Sequence, residues 1–189
     1  MALTLLLGGA RSGKSRLAVG IAARSRGPVT VIATGEARDS EMRERIERHR
    51  RSRPPDWQVI EEPLDVESVL SSVAPEACLL IEDLTLWTSN LLLAGSSDEE
   101  IHRRNREAAS IASSRQAPTI AVSNEVGSGI VPTNAMARRY RDLLGEVNRW
   151  WAEAADRCAL VVAGRILPLR DAAEALPSWI PEEIDADLG

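Results

Sequence analysis

Lysine is almost absent from this 189-residue sequence, in which Lys14 is the single lysine among 23 lysine and arginine residues. A general preference for arginine leaves lysine only where a planar guanidinium cannot replace a compact ammonium group on a flexible stem. Lys14 is therefore the first candidate for a functional side chain.

Two further scarcities limit the class of protein. The only cysteines, Cys78 and Cys158, lie in apolar runs, which favours small buried side chains in a reducing compartment. No apolar run approaches the roughly 20 residues of a membrane-spanning helix, so we expect no membrane span and a cytoplasmic location. The net charge of -5 argues against a general nucleic-acid-binding protein, which would present a basic face.

Short apolar runs alternate with helical patterns along the chain. The apolar runs, which are typical of strands covered on both faces, span 3–8, 28–33, 57–61, 77–83, 118–125 and 158–164. The helical patterns span 14–25, 39–51, 64–73, 98–115 and 134–155. This alternation predicts an α/β fold with a mostly parallel sheet and helices on both faces. We expect one domain over 1–168, followed by an acidic extension, 169–189, without an assigned role.

The segment GGARSGKS, residues 8–15, matches the phosphate-binding pattern G-x-x-x-x-G-K-[ST] between a predicted strand and a predicted helix. Its glycines allow backbone N–H groups to face phosphate oxygens, and the following helix adds the positive end of its dipole. Lys14 would reach the β- and γ-phosphates, while Ser15 would bind Mg²⁺. The candidate nucleotide contacts here are Gly8, Gly9, Ala10, Arg11, Ser12, Gly13, Lys14 and Ser15.

Two acidic residues follow the apolar run 77–83. P-loop enzymes place a carboxylate at the end of a nearby strand to hold the magnesium shell. Glu82 or Asp83 is expected to face the nucleotide, and the sequence leaves open which of them does.

The segment RIERHRRSR, residues 45–53, concentrates positive charge around His49 in an otherwise acidic protein. If the predicted helix covers the phosphate site, its arginines would neutralise a triphosphate, and cationic neighbours would favour a neutral, nucleophilic imidazole. The alternative is a solvated helix face in which Glu44 and Glu47 pair with the arginines. The residues alone leave a covalent role of His49 open beside two other interpretations, a P-loop kinase with a structural histidine and a nucleotide-binding regulator.

Longer segments add a resemblance that extends from Leu3 to about Gly164. They read IATGEARDSEMRERIERHR, LLIEDLTLWTSNLL and VSNEVGSGIVPTNAMARRYRDLLGEVNRWWAEAAD. With GGARSGKS they resemble the bifunctional adenosylcobinamide kinase / adenosylcobinamide-phosphate guanylyltransferase family of cobalamin biosynthesis.

The resemblance implies a RecA-like P-loop fold, a homotrimer and two reactions. The first phosphorylates adenosylcobinamide with ATP or GTP, and the second transfers GMP from GTP to adenosylcobinamide phosphate, releasing pyrophosphate. Some family members have two adjacent histidines in the block that carries the GMP. Here the first of these positions is Arg48, so the covalent role falls on His49.

The resemblance also implies nucleotide contacts outside the Gly-rich segment. These are Ala33, Thr34, Gly35, Arg50, Arg51, Ser52, Arg53, Glu61, and Glu82 or Asp83. Lys14 and His49 are the expected catalytic residues, and we assign Mg²⁺ to Ser15 and Asp83.

Overall fold

The computed structural model describes residues 3–175, which form one seven-stranded sheet with helices on both faces. The strands are β1 (Leu3–Gly8), β2 (Val29–Ala33), β3 (Gln58–Glu61), β4 (Cys78–Glu82), β5 (Thr119–Asn124), β6 (Arg157–Val162) and β7 (Arg165–Leu169). Their order across the sheet is β3-β2-β4-β5-β1-β6-β7. All neighbouring strands are parallel except β6 and β7, which confirms the predicted mostly parallel sheet.

The helices follow the strands in the expected alternation, with two more helices than predicted. They are α1 (Lys14–Ala22), α2 (Ser40–Arg51), α3 (Val66–Ser72), α4 (Leu84–Leu93), α5 (Asp98–Ser114), α6 (Ala135–Ala154) and the short α7 (Ala172–Ala175). Asp39 caps α2, because its side chain accepts the Met42 N–H at 2.7 Å. None of the helices among residues 3–175 combines the length and apolar character needed to cross a bilayer.

Alternate side chains of each central strand enter two separate core clusters. In β1, Leu3, Leu5 and Leu7 pack on the side that holds α4, α5 and α6, where Trp87 and Trp151 are fully buried. Leu6 points to the other side and packs in the cluster that contains Ala18 and Ala22 of α1. This two-sided burial explains why the strands are nearly continuous in apolar residues.

Three elements differ from the sequence prediction. The short α7 lies in the extension 169–189, where no helix was predicted. Helix α4 was not predicted, because it is buried around most of its circumference and so lacks the one-sided apolar periodicity of a surface helix. Strand β7 was not predicted either, since all five of its residues are exposed and Pro168 interrupts its pattern. It pairs antiparallel with β6 at the edge of the sheet.

Candidate active site

The Gly-rich segment turns sharply between β1 and α1, and neighbouring backbone constrains its shape. A Cβ atom added to Gly8 would lie 2.4 Å from the Val161 carbonyl oxygen of β6. Gly13 adopts the left-handed region, with φ of 100°, immediately before α1. The turn between β6 and β7 supports the segment from outside, because Gly164 N–H donates to the Ser12 carbonyl at 2.8 Å.

Lys14 begins α1 and is almost completely buried, with 6% of its surface exposed. Its Nζ donates to the Gly9 carbonyl oxygen at 3.1 Å, which holds the ammonium group over the segment. Burial lowers the pKa of Lys14, and the nearby Asp83 carboxylate opposes this shift, while Arg45 adds to it. Lys14, Asp83 and Arg45 therefore lie within electrostatic reach of one another.

The end of β4 is tied to the end of β2 by Thr34. The Thr34 hydroxyl donates to the Asp83 carbonyl and accepts the Asp83 N–H, each at 2.8 Å. The Asp83 carboxylate caps α4 by accepting the Leu86 N–H at 2.7 Å. Burial raises the pKa of Asp83, against the influence of this hydrogen bond and of Lys14.

Glu82 connects β4 with the histidine and one of the arginines. Its side chain is nearly buried, and one carboxylate oxygen pairs with the Arg53 guanidinium, which is buried to the same degree. The other oxygen, Oε1, lies 3.5 Å from Nδ1 of His49. Burial would raise the pKa of Glu82, but His49 and Arg53 outweigh it and hold this pKa below its ordinary value. The arginines around His49 thus share its surroundings with an anion, which the sequence did not suggest.

His49, Arg53, Glu82 and Asp83 line one cleft, which lies between α2 and the carboxyl ends of β2, β3 and β4. The cleft has a cavity volume of about 50 Å³ and opens to solvent. Its lining residues are Ser15, Ala33, Gly35, Met42, Arg45, Ile46, His49, Arg50, Arg53, Val59, Glu61, Glu82, Asp83 and Leu86.

The cleft brings together many of the residues selected from the sequence. Those that line it are Ser15, Ala33, Gly35, His49, Arg50, Arg53, Glu61, Glu82 and Asp83. Ser15 is the residue of the segment 8–15 that lines the cleft, and Lys14 precedes it in the chain. Thr34 is fully buried beneath it, and the Ser52 hydroxyl donates to the His49 carbonyl at 2.8 Å. Arg51 lies elsewhere, in a separate surface groove with Arg43, Glu44, Glu47 and Arg48.

Several cleft residues were missed in the sequence, above all Arg45. Met42, Arg45, Ile46 and His49 follow the i, i+3, i+4, i+7 spacing of one helix face. This spacing could have been read from the sequence once His49 was taken as a site residue. No local pattern pointed to Val59 or Leu86, which reach the cleft only through the folding of other elements.

The donor atoms in the cleft fit a magnesium ion that is held partly by phosphates. Ser15 and Asp83 offer hydroxyl and carboxylate oxygens to the same cleft, and Mg²⁺ prefers oxygen ligands. Glu82 is already engaged by Arg53 and faces His49, which favours Asp83 over Glu82 as the carboxylate. Among residues 3–175 there is no cluster of three or more His, Cys, Asp or Glu side chains that could hold a metal by itself. A magnesium ion bound through one or two protein oxygens and substrate phosphates needs no such cluster.

Comparison with known proteins establishes the family. The model of the CobU family, described as cobinamide kinase / cobinamide phosphate guanyltransferase, matches residues 4–169. The chain belongs to this family. It is 44% identical over 169 residues to the bifunctional adenosylcobalamin biosynthesis protein CobP of Pseudomonas aeruginosa, covering 88% of this chain and 96% of that protein. The corresponding CobU proteins of Escherichia coli and Salmonella typhimurium are 38% and 36% identical, and each alignment covers 86% of this chain and 96% of the relative.

A solved structure supports the fold independently. An ATPase from the type III secretion system of pathogenic bacteria superimposes with a TM-score of 0.53 at 12% sequence identity, covering 95% of this chain and 54% of that chain. At this identity the likeness concerns the fold alone, and it agrees with the predicted α/β fold with a mostly parallel sheet. The family membership confirms that the chain is an enzyme of adenosylcobalamin biosynthesis with kinase and guanylyltransferase activities.

Proposed function

We propose that the protein phosphorylates adenosylcobinamide with ATP or GTP and then transfers GMP from GTP to the product through a covalent GMP on His49. The products of the second reaction are adenosylcobinamide-GDP and pyrophosphate. The observation that carries this proposal is that His49 lines the same cleft as Ser15, the last residue of the phosphate-binding segment. A single bound triphosphate can therefore meet both a P-loop and an imidazole.

The surroundings of His49 suit a nucleophile. The Glu82 carboxylate faces Nδ1, so a proton on Nδ1 would point toward the carboxylate and leave the lone pair on Nε2. Within residues 3–175, Nε2 makes no hydrogen bond. In the proposed step Nε2 forms a bond to the α-phosphorus of GTP, the bond from this phosphorus to the bridging oxygen breaks, and pyrophosphate leaves. A phosphate oxygen of the acceptor then attacks the same phosphorus and releases the imidazole.

The kinase step uses the segment 8–15. Its backbone N–H groups and the beginning of α1 would orient the triphosphate, and Lys14 would neutralise charge on the β- and γ-phosphates. We assign Mg²⁺ to Ser15 and Asp83, where it would neutralise phosphate charge when bound. The remaining proposed nucleotide contacts are Ala33, Gly35, Arg50, Arg53, Glu61 and Glu82, all in the cleft.

We also propose a single catalytic domain over residues 1–168, which rests on the chain length, and a homotrimer, which rests on the family resemblance. Sedimentation equilibrium of the full chain is the direct measurement of the subunit number. A mass of one or two subunits at the concentrations used in the assays would reject the trimer.

The decisive experiment is a labelling test. The wild-type protein and a His49→Ala variant are incubated with Mg²⁺ and GTP radiolabelled in its α-phosphate, then denatured and tested for protein-bound label. We expect acid-labile, alkali-stable label on the wild type and none on the variant. His102→Ala is the matched control, since His102 pairs with Glu146 between α5 and α6 and should leave labelling unchanged.

The rival interpretation is a P-loop kinase in which His49 is structural. It predicts phosphoryl transfer to adenosylcobinamide with no covalent nucleotide on either histidine. Absence of label on the wild type, together with intact kinase activity, would reject the GMP-histidine intermediate and leave this rival.

A further inference from the structure

We infer that Arg45 is a further substrate-binding residue, which contacts the β- and γ-phosphates of the nucleotide in both reactions. This inference rests on the proposed function and adds a residue to its site. Arg45 belongs neither to the phosphate-binding pattern nor to the group of arginines next to His49 in the sequence.

The first argument is the geometry of α2. Arg45 lies one helical turn before His49, and the two side chains line the same cleft with Met42 and Ile46. A nucleotide whose α-phosphate meets His49 and whose terminal phosphates meet Lys14 must extend along this helix face. The Arg45 charge also lies close enough to Lys14 and Asp83 to lower the pKa of each against other influences.

The second argument is the pairing of the neighbouring arginines. Arg50 pairs with Glu61 at 2.7 Å and with Glu47 at 3.2 Å, and Arg53 pairs with Glu82. Arg48 and Arg51 line the separate surface groove on another side of α2. Each of these four arginines is therefore either engaged by a carboxylate or placed outside the cleft.

Arg45 differs from all of them. Within residues 3–175 it makes no ion pair and no hydrogen bond, although it lines the cleft beside the Lys14 ammonium group. Two cations within electrostatic reach of each other repel until an anion binds between them. A triphosphate supplies that anion, and a guanidinium binds two phosphate oxygens at once.

The chemistry explains why one arginine would serve both reactions. In the kinase step the acceptor oxygen bonds to the γ-phosphorus, the β–γ bridging bond breaks, and the hydroxyl proton passes to solvent. In the guanylyl step the His49 nitrogen bonds to the α-phosphorus, the α–β bridging bond breaks, and pyrophosphate leaves. In both cases negative charge grows on the β-phosphate, where a fixed guanidinium stabilises the transition state.

The test compares Arg45→Gln with Arg43→Gln on the same helix. Arg43 lies in the separate surface groove, so its replacement controls for a lost charge on α2. We expect Arg45→Gln to lower both the kinase rate and the rate of GMP labelling by about 100-fold or more. Arg43→Gln should change each rate less than about twofold, in line with surface substitutions generally.

A binding measurement locates the lost contact. Arg45→Gln should weaken binding of a non-hydrolysable GTP analogue at least about tenfold, the loss of one charge-assisted phosphate contact, while GMP affinity stays unchanged. Arg45→Lys should restore part of the affinity for the analogue, because a point charge replaces only half of a two-oxygen contact. Thermal unfolding of each variant verifies that α2 remains folded.

Three results would overturn the assignment: unchanged rates in Arg45→Gln, a loss confined to GMP labelling, or equal losses of affinity for GMP and the GTP analogue. These results are independent of the His49 test. If His49→Ala retained label, the covalent mechanism would fail, yet a selective loss of triphosphate affinity in Arg45→Gln would still stand.

Discussion

The two helices that flank the candidate site are attached to the sheet in different ways. Helix α1 buries Lys14, Ala18 and Ala22, and two of these belong to a hydrophobic core cluster. Helix α2 buries no residue at all. It faces the same cleft and reaches the strand ends through polar contacts, from Arg50 to Glu61 and from His49 and the following Arg53 to Glu82.

The two helices therefore differ in how much they contribute to the stability of the fold and to the proposed reactions. A fully buried Val, Leu or Ile side chain stabilises a fold by roughly 1.5–3 kcal/mol and a buried alanine methyl group by roughly 0.8 kcal/mol, whereas an exposed ion pair contributes about 0–1 kcal/mol. The α1 side of the site is therefore part of the hydrophobic core, and changes there affect the whole fold. The α2 side carries the residues of the proposed GMP transfer at little cost to the core.

The Arg53–Glu82 pair is buried, unlike the exposed ion pairs of α2. We therefore expect its disruption to have the largest effect on stability among the changes considered for this side of the site. Arg53→Met leaves the Glu82 carboxylate buried without its guanidinium, and we expect a loss of about 3 kcal/mol in the free energy of unfolding. Urea unfolding measures this loss. A loss below 1 kcal/mol would show that Glu82 is satisfied by other groups, against the geometry described above.

The matched control is the double variant Arg53→Met, Glu82→Leu. Replacing both charges by apolar groups should recover most of the stability, because the desolvation of both ions is removed. GMP labelling should remain low, since His49 loses the carboxylate that faces Nδ1. Recovery of labelling together with stability would mean that Glu82 matters for folding alone.

The same pair predicts a dependence of stability on pH. The pKa of Glu82 is held below its ordinary value, so its ionised form stabilises the protein above the unfolded-state pKa. This contribution is lost as the pH falls through the lowered pKa of the folded state. The double variant should therefore lose less stability between neutral and acidic pH than the wild type does.

An intermediate effect is expected on the α1 side, from Gly8→Ala. The new Cβ atom would approach the Val161 carbonyl oxygen to 2.4 Å, and backbone there cannot move without disturbing β6. We expect a loss of about 2–3 kcal/mol in unfolding free energy, typical of overpacking. Gly9→Ala is the control, because no atom lies within 4 Å of its added Cβ. Equal stability of the two variants would contradict the described packing of the segment.

The smallest effect is expected for Arg50→Ala. Its pairs with Glu47 and Glu61 are exposed, so we expect less than about 1 kcal/mol of stability to be lost, and less again in high salt. Urea unfolding at low and high ionic strength measures both differences. A loss that is larger than 1 kcal/mol and independent of salt would show that α2 is anchored more firmly at β3 than its exposure indicates.

Elements with a local signature were predictable from the sequence. The segment 8–15 is recognisable in the sequence because eight consecutive residues supply the backbone turn, the lysine and the hydroxyl. Asp39 likewise marks the beginning of α2, since a capping side chain acts within three residues. Helix α4 was hidden for the opposite reason, because burial on most sides removes the periodicity that identifies a helix.

The sequence by itself determined the fold class, the family and the presence of a phosphate-binding segment and a histidine among arginines. Tertiary structure alone decided which arginines of α2 line the cleft. Arg43, Arg45 and Arg48 are chemically identical and differ only in the side of α2 on which the helical turn places them. Structure also decided that Glu82 faces His49 and pairs with Arg53, because residues separated by 29 or more positions become neighbours only when α2 packs over the end of β4.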